Sequence, residues 1–117
     1  MSNVFQPISN WQGPLPIDGD VFTPQGKTFF LFASGSGWAR EQGLIGMDVY
    51  VNDVYAGTCQ VVTNEVNSHK AFIPICVALS GLQTGQPATV RLQPIEGGIT
   101  TITDVNDSFN VTVVEMD

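Results

Sequence analysis

Apolar and polar residues alternate with period two over most of the chain, and helical spacing is almost absent. In "KTFFLFAS" (27–34), Phe29, Leu31 and Ala33 fall on one face and Phe30 and Phe32 on the other, which predicts a strand covered on both sides. "GLIGMDVYVN" (43–52) sets Ile45, Met47, Val49 and Val51 against Asp48 and Tyr50, the pattern of a half-buried sandwich strand. Asn52-Asp53 then makes a tight turn into a strand over Tyr55 to Thr63. In "KAFIPICVAL" (70–79), Pro74 cannot donate to a ladder and predicts an edge position or a bulge. "TVRLQPIE" points Val90 and Leu92 inward and ends at Gly97-Gly98; "ITTIT" is a short β-branched piece; "SFNVTVVEM" alternates again. Short strands with Gly, Pro and Asn punctuation and no crossover helix predict an all-β fold, an antiparallel β-sandwich of jelly-roll type over residues 27–117.

Residues 1–26 read differently. Pro7, Pro14, Pro16 and Pro24 interrupt them and leave little room for a long strand. They predict an extended, proline-rich N-terminal arm that binds a partner through Phe5, Ile8, Trp11, Leu15 and Ile17. Proline restricts the free arm, so docking costs less entropy.

Composition sharpens the picture of the surface. Eleven acids against four bases give a net charge of −7, which argues against a phosphate-binding face and so against nucleic acid. Charged residues are 13% of the chain, against about 25% in ordinary globular proteins. Such a weakly charged surface predicts coverage by neighbours, hence a homo-oligomer. No apolar run approaches the roughly 20 residues of a membrane span. The start "MSNVFQPISN" has neither a basic nor an apolar leader region, which predicts synthesis in a cytoplasm. Cys59 and Cys76 lie in apolar segments and are expected as buried, reduced thiols.

The chemistry-bearing candidates are few. In "SGSGW" (34–38), Ser36 between glycines has the look of a nucleophile elbow, but no helix follows and the chain holds a single histidine, His69. The glycines are expected to supply positive φ, with Trp38 folding over the open end of the sandwich and Arg40 and Glu41 solvated. In "TNEVNSHKAF", Asn64, Asn67 and His69 are expected to bond backbone groups and set a sharp connection. Asp18-Gly-Asp20 and Asp104-Val-Asn-Asp107 offer oxygen ligands suited to calcium but match no EF-hand loop, and Asx turns explain them. Asn110-Val-Thr112 is formally a glycosylation sequon, read here as strand. No catalytic residue, cofactor or metal site is predicted. A carbohydrate-binding surface is the alternative, with Trp38, Tyr50 or Tyr55 stacking on a sugar and Asp104, Asn106 and Asp107 supplying polar contacts.

Taken together, "FLFASGSGW", "GLIGMDVYVNDVYAGT", "VVTNEVNSHKAFIP" and "NDSFNVTVVE" resemble small all-β modules of tailed-phage virion proteins, over roughly residues 28–115. The resemblance implies a jelly roll that assembles, commonly as a trimer, and decorates a capsid or forms a tail or fibre tip. It carries over no catalytic residue. The expectation is a non-enzymatic virion structural protein, most simply a capsid decoration or cement protein, located in the virion with a major capsid or other virion protein as partner. A glycan-binding fibre tip remains the alternative.

Overall fold

The computed structural model describes Asn3 to Met116, and no helix occurs among these residues. The elements are β1 (Asn3–Gln12), β2 (Ile17–Asp18), β3 (Thr28–Ser34), β4 (Ser36–Gly37), β5 (Gly43–Val51), β6 (Val54–Thr63), β7 (Lys70–Ala71), β8 (Ile75–Leu79), β9 (Val90–Pro94) and β10 (Ser108–Met116). One four-stranded sheet has the order β1-β10-β3-β8, and the other β2-β9-β5-β6. Every pairing within them is antiparallel. The architecture is therefore all-β, an antiparallel sandwich.

Its strand order has a simple origin. β5 and β6 form a hairpin whose turn, Asn52-Asp53, takes left-handed φ of 50° and 63°. Outward from that turn, β3 pairs with β8, β2 with β9 and β1 with β10. These pairs are the rungs of one long hairpin, rolled so that successive rungs lie in opposite sheets. That winding is a jelly roll. The two-residue β4 and β7 pair as a short separate ribbon between the β5·β6 and β3·β8 rungs.

Alternation places the core where the sequence predicts it. Phe29, Leu31 and Ala33 of β3 and Phe109, Val111 and Val113 of β10 face Ile45, Met47 and Val49 of β5 and Leu92 of β9, all buried. The opposite face of β3 departs from expectation: none of the described residues covers it, and Phe32 is 47% exposed. Pro74 lies just before β8, which is an edge strand, so its missing N–H interrupts no central ladder.

Of the segment expected to be an arm, the described residues 3–26 are part of the sandwich. Residues 3–12 form an edge strand along β10, and Ile17-Asp18 pairs with Leu92-Arg91 in the other sheet, so no domain boundary falls at residue 26. Pro7 is accommodated because β1 is an edge strand whose register shifts between Phe5 and Ile8, where no ladder N–H is needed. The apolar residues expected to dock on a partner complete this chain's own core. Ile8 and Ile17 are 1% and 3% exposed, Phe5 stacks at 5.1 Å on the buried Phe22, and Leu15 is half-buried. Only Trp11 stays open, at 39%.

Glu115 fixes this segment. Its carboxylate is buried and accepts bonds from Asn3 Nδ2 at 2.6 Å and from the Gln25 and Gly26 amides at 2.8 and 3.0 Å. Burial opposes ionisation, but these three donors outweigh it and hold Glu115 below the usual carboxylate range. One side chain thus ties β1, the turn before β3 and β10 together.

Candidate functional site

Polar chemistry gathers at one end of the sandwich, where the β4–β7 ribbon meets the β9–β10 loop. Gly35 and Gly37 bring the chain there by close approach rather than by the positive φ expected of them, since neither takes left-handed φ. A Cβ on Gly35 would lie 2.6 Å from the Phe109 ring and 2.9 Å from Met47 Sδ; one on Gly37 would lie 2.8 Å from Phe72 and 3.1 Å from the Ile102 carbonyl. The next residue, Trp38, bridges to Ile102 through both backbone groups and lies half-buried.

Asp107 is the hub. Its side chain is fully buried, accepts the Ser36 hydroxyl at 2.7 Å and lies 2.8 Å from His69 Nδ1, both on Oδ1, while Oδ2 accepts the Asp104 N–H at 2.9 Å. Asp104 takes the indole N–H of Trp38 on Oδ2 at 3.1 Å and the Asn106 N–H on Oδ1 at 2.9 Å. The loop is thus built of Asx turns, as read from "DVND". His69 Nε2 stands 3.9 Å from Asp104 Oδ2, its ring is 6.0 Å from that of Trp38, and the Arg40 guanidinium lies 5.2 Å over the indole. The bond to Asp107 raises the His69 pKa above its ordinary 6.5; partial desolvation opposes this, and the charges of Asp107 and Asp104 add to it.

His69 therefore bonds a side chain 38 residues away, not the backbone groups expected. Among the described residues, His69, Asp104 and Asp107 are the one set with metal-ligand chemistry in close range. Their polar atoms already serve one another, Ser36 and Trp38. Ser36 donates to Asp107 rather than to His69, so serine and imidazole are not in the relation that general-base activation requires. The other acidic loop is dissolved by pairing: Asp18 takes a two-pronged bond from Arg91 at 2.9 Å.

The candidate sugar-binding residues do not converge. Tyr50 and Tyr55 meet edge to face at 6.0 Å beside the β5–β6 turn. Trp38, Asp104 and Asn106 belong to the loop cluster, which joins β5 at Gly46 through Thr101. Four residues of β5, roughly 13 Å at strand rise, separate that junction from Tyr50. Asp107 is buried.

The second candidate is the outer face of the β1-β10-β3-β8 sheet. The register aligns Val4, Val114, Phe30 and Ala78 in one row across it, and Thr112, Phe32 and Cys76 in the next. Met116 lies beyond them, opposite Thr28. Val4, Phe32 and Met116 are 60%, 47% and 46% exposed. These rows hold no carboxylate, amine or guanidinium. The outer face of the other sheet does, with Asp48 bonded to Thr58 and Arg91 to Asp18. Cys76, expected to be buried, lies exposed on this uncharged face because its register places it beside Phe32. Cys59 is buried, and desolvation pushes its thiol up to about 11 against a weaker opposing bond from the Ile75 backbone.

No protein-family model matches the chain, and no curated protein matches it. Solved structures do. The Eiger TNF of S. frugiperda is similar with a TM-score of 0.58 at 8% identity, covering 99% of this chain and 93% of that one. A chain of the infectious bursal disease virus Gx strain is similar with a TM-score of 0.49 at 11% identity, covering 97% of this chain and 32% of that one. At 8% identity the first likeness is one of fold alone. No helix among the described residues is long and apolar enough to cross a membrane.

Proposed function

We propose that this chain is a non-enzymatic structural module of a virion that works by self-association, and that the outer face of the β1-β10-β3-β8 sheet is where copies meet. The observation that supports it most is the absence of charge among the described residues of that face, in a chain with a net charge of −7. Two like-charged copies repel wherever acids meet, and these rows let apolar surface come together without bringing acids into contact. A basic partner would be drawn instead to the acids elsewhere. The second copy is thus the occupant that the face fits. A trimer, and a cement role on a capsid, are the finer form of this reading and rest on the sequence resemblance.

Sedimentation velocity tests it. The wild-type chain at micromolar concentration is expected to run above 12.6 kDa, with a trimer at about three times that mass. Phe32→Asp puts a charge into the centre of the face without touching the core. Loss of a buried aromatic anchor costs about 2 kcal/mol or more, roughly a 30-fold weakening. The variant is expected to be a folded monomer. A wild-type monomer at these concentrations, or a Phe32→Asp variant that assembles unchanged, overturns the proposal.

A further inference from the structure

The loop cluster carries an inference independent of the assembly reading. A carboxylate faces each nitrogen of the His69 ring: Asp107 Oδ1 at 2.8 Å from Nδ1, and Asp104 Oδ2 at 3.9 Å from Nε2. A carboxylate only accepts, and a neutral imidazole carries one N–H. The neutral ring can therefore donate to one of the two and must turn a lone pair toward the other. The shorter contact fixes the proton on Nδ1, which leaves the Nε2 lone pair toward Asp104. Only the imidazolium, with an N–H on each nitrogen, suits both neighbours.

We propose that His69 is a proton-controlled fastener, which in its charged form joins the loop after β6 to the loop before β10 by a hydrogen bond to Asp107 and a charge contact with Asp104, and above its midpoint keeps only the hydrogen bond. The remaining charges around it do not displace this balance. Lys70 is paired with Glu65 at 2.7 Å, and Arg40 lies over the far partner, the Trp38 ring. Asp107 and Asp104 are themselves held, by Ser36 and by Trp38, so the carboxylates stay in place when the ring titrates. The raised pKa of His69 agrees with this geometry. The sign follows from it: the extra stability is complete below the unfolded value near 6.5 and is lost as pH rises through the higher folded value. A backbone bond reports the state of the loop, Asn67 N–H donating to the Ala39 carbonyl at 2.7 Å, with Asn67 in left-handed φ of 62°.

With one histidine in the chain, the imidazole Cε1–H resonance needs no assignment. Its titration is expected to have a midpoint above 6.5, and Asp104→Asn, which still accepts the Trp38 N–H but carries no charge, is expected to lower it toward 6.5. Amide exchange at Asn67, corrected for intrinsic pH dependence, is expected to lose protection across the wild-type midpoint. In His69→Gln, which keeps one donor and cannot titrate, protection is expected to be flat with pH. A midpoint at or below 6.5, no effect of Asp104→Asn, or the same loss of protection in His69→Gln each overturns the proposal.

Discussion

Replacing Glu115 by glutamine preserves its shape and removes only the charge. The amide oxygen can still accept the Gln25 and Gly26 N–H groups, and the Asn3 amide can flip to accept from the new NH2. What is lost is the charge assistance in three bonds. A bond to a charged group contributes roughly 1.5–3 kcal/mol and a neutral one roughly 0.5–1.5, while the cost of burying a carboxylate disappears, so the net loss at pH 7 is about 2 kcal/mol. Glu115→Leu, which leaves all three donors without an acceptor, is expected to cost more, about 3 kcal/mol. The pH dependence separates this account from mere packing. Because the folded pKa is depressed, the wild-type advantage over Glu115→Gln is present above the unfolded value of 4.5 and is lost as pH falls through the folded value. Urea unfolding of both proteins at a series of pH values, followed by tryptophan fluorescence, reads the gap directly. The other acids are common to both proteins and cancel. A gap that stays constant into the acid range, or a glutamine variant as stable as wild type at pH 7, would refute the reasoning.

Two further outcomes follow from packing and exposure. Gly35→Ala forces a methyl against the Phe109 ring and Met47 and is expected to destabilise by about 2 kcal/mol, lowering Tm by roughly 8 °C in a thermal melt. A native thiol assay is expected to modify Cys76 quickly and Cys59 only at the rate of unfolding, since the first is exposed and the second buried with its pKa near 11; modification of both at one rate would contradict these positions.

The strands whose two faces differ in polarity were legible in the sequence. β5 alternates cleanly, β10 does so from Phe109 to Val113 before Val114, Glu115 and Met116 invert the pattern, and Asn52-Asp53 announced its hairpin through residues that tolerate left-handed φ. β1 was not legible, because Pro7 argues against a strand and only the tertiary setting, an edge position with a register shift, makes it harmless. Ile8 and Ile17 carry the same letters whether they bury in a neighbour or at home. For Phe30 and Phe32, double-sided hydrophobicity predicts cover without saying whether the cover is in the same chain. The site was half visible. "NEVNSH" and "DVND" stood out as polar stretches, but nothing local tells His69 that Asp107 will face it; that meeting is made by the rolling of the hairpin.

The outermost rung of that hairpin has a consequence for how the chain could be rewired. Asn3 and Glu115 are register partners, 112 residues apart in sequence and neighbours across β1 and β10. A short linker joining the two ends would convert the most distant pairing in the molecule into a tight local turn. New ends opened at Gly81, in the exposed segment between β8 and β9, where a Cβ would meet no other atom, would cut no strand. Such a circular permutant keeps every rung but replaces the one of greatest loop-closure entropy by a hairpin, so its average contact separation falls and its folding accelerates.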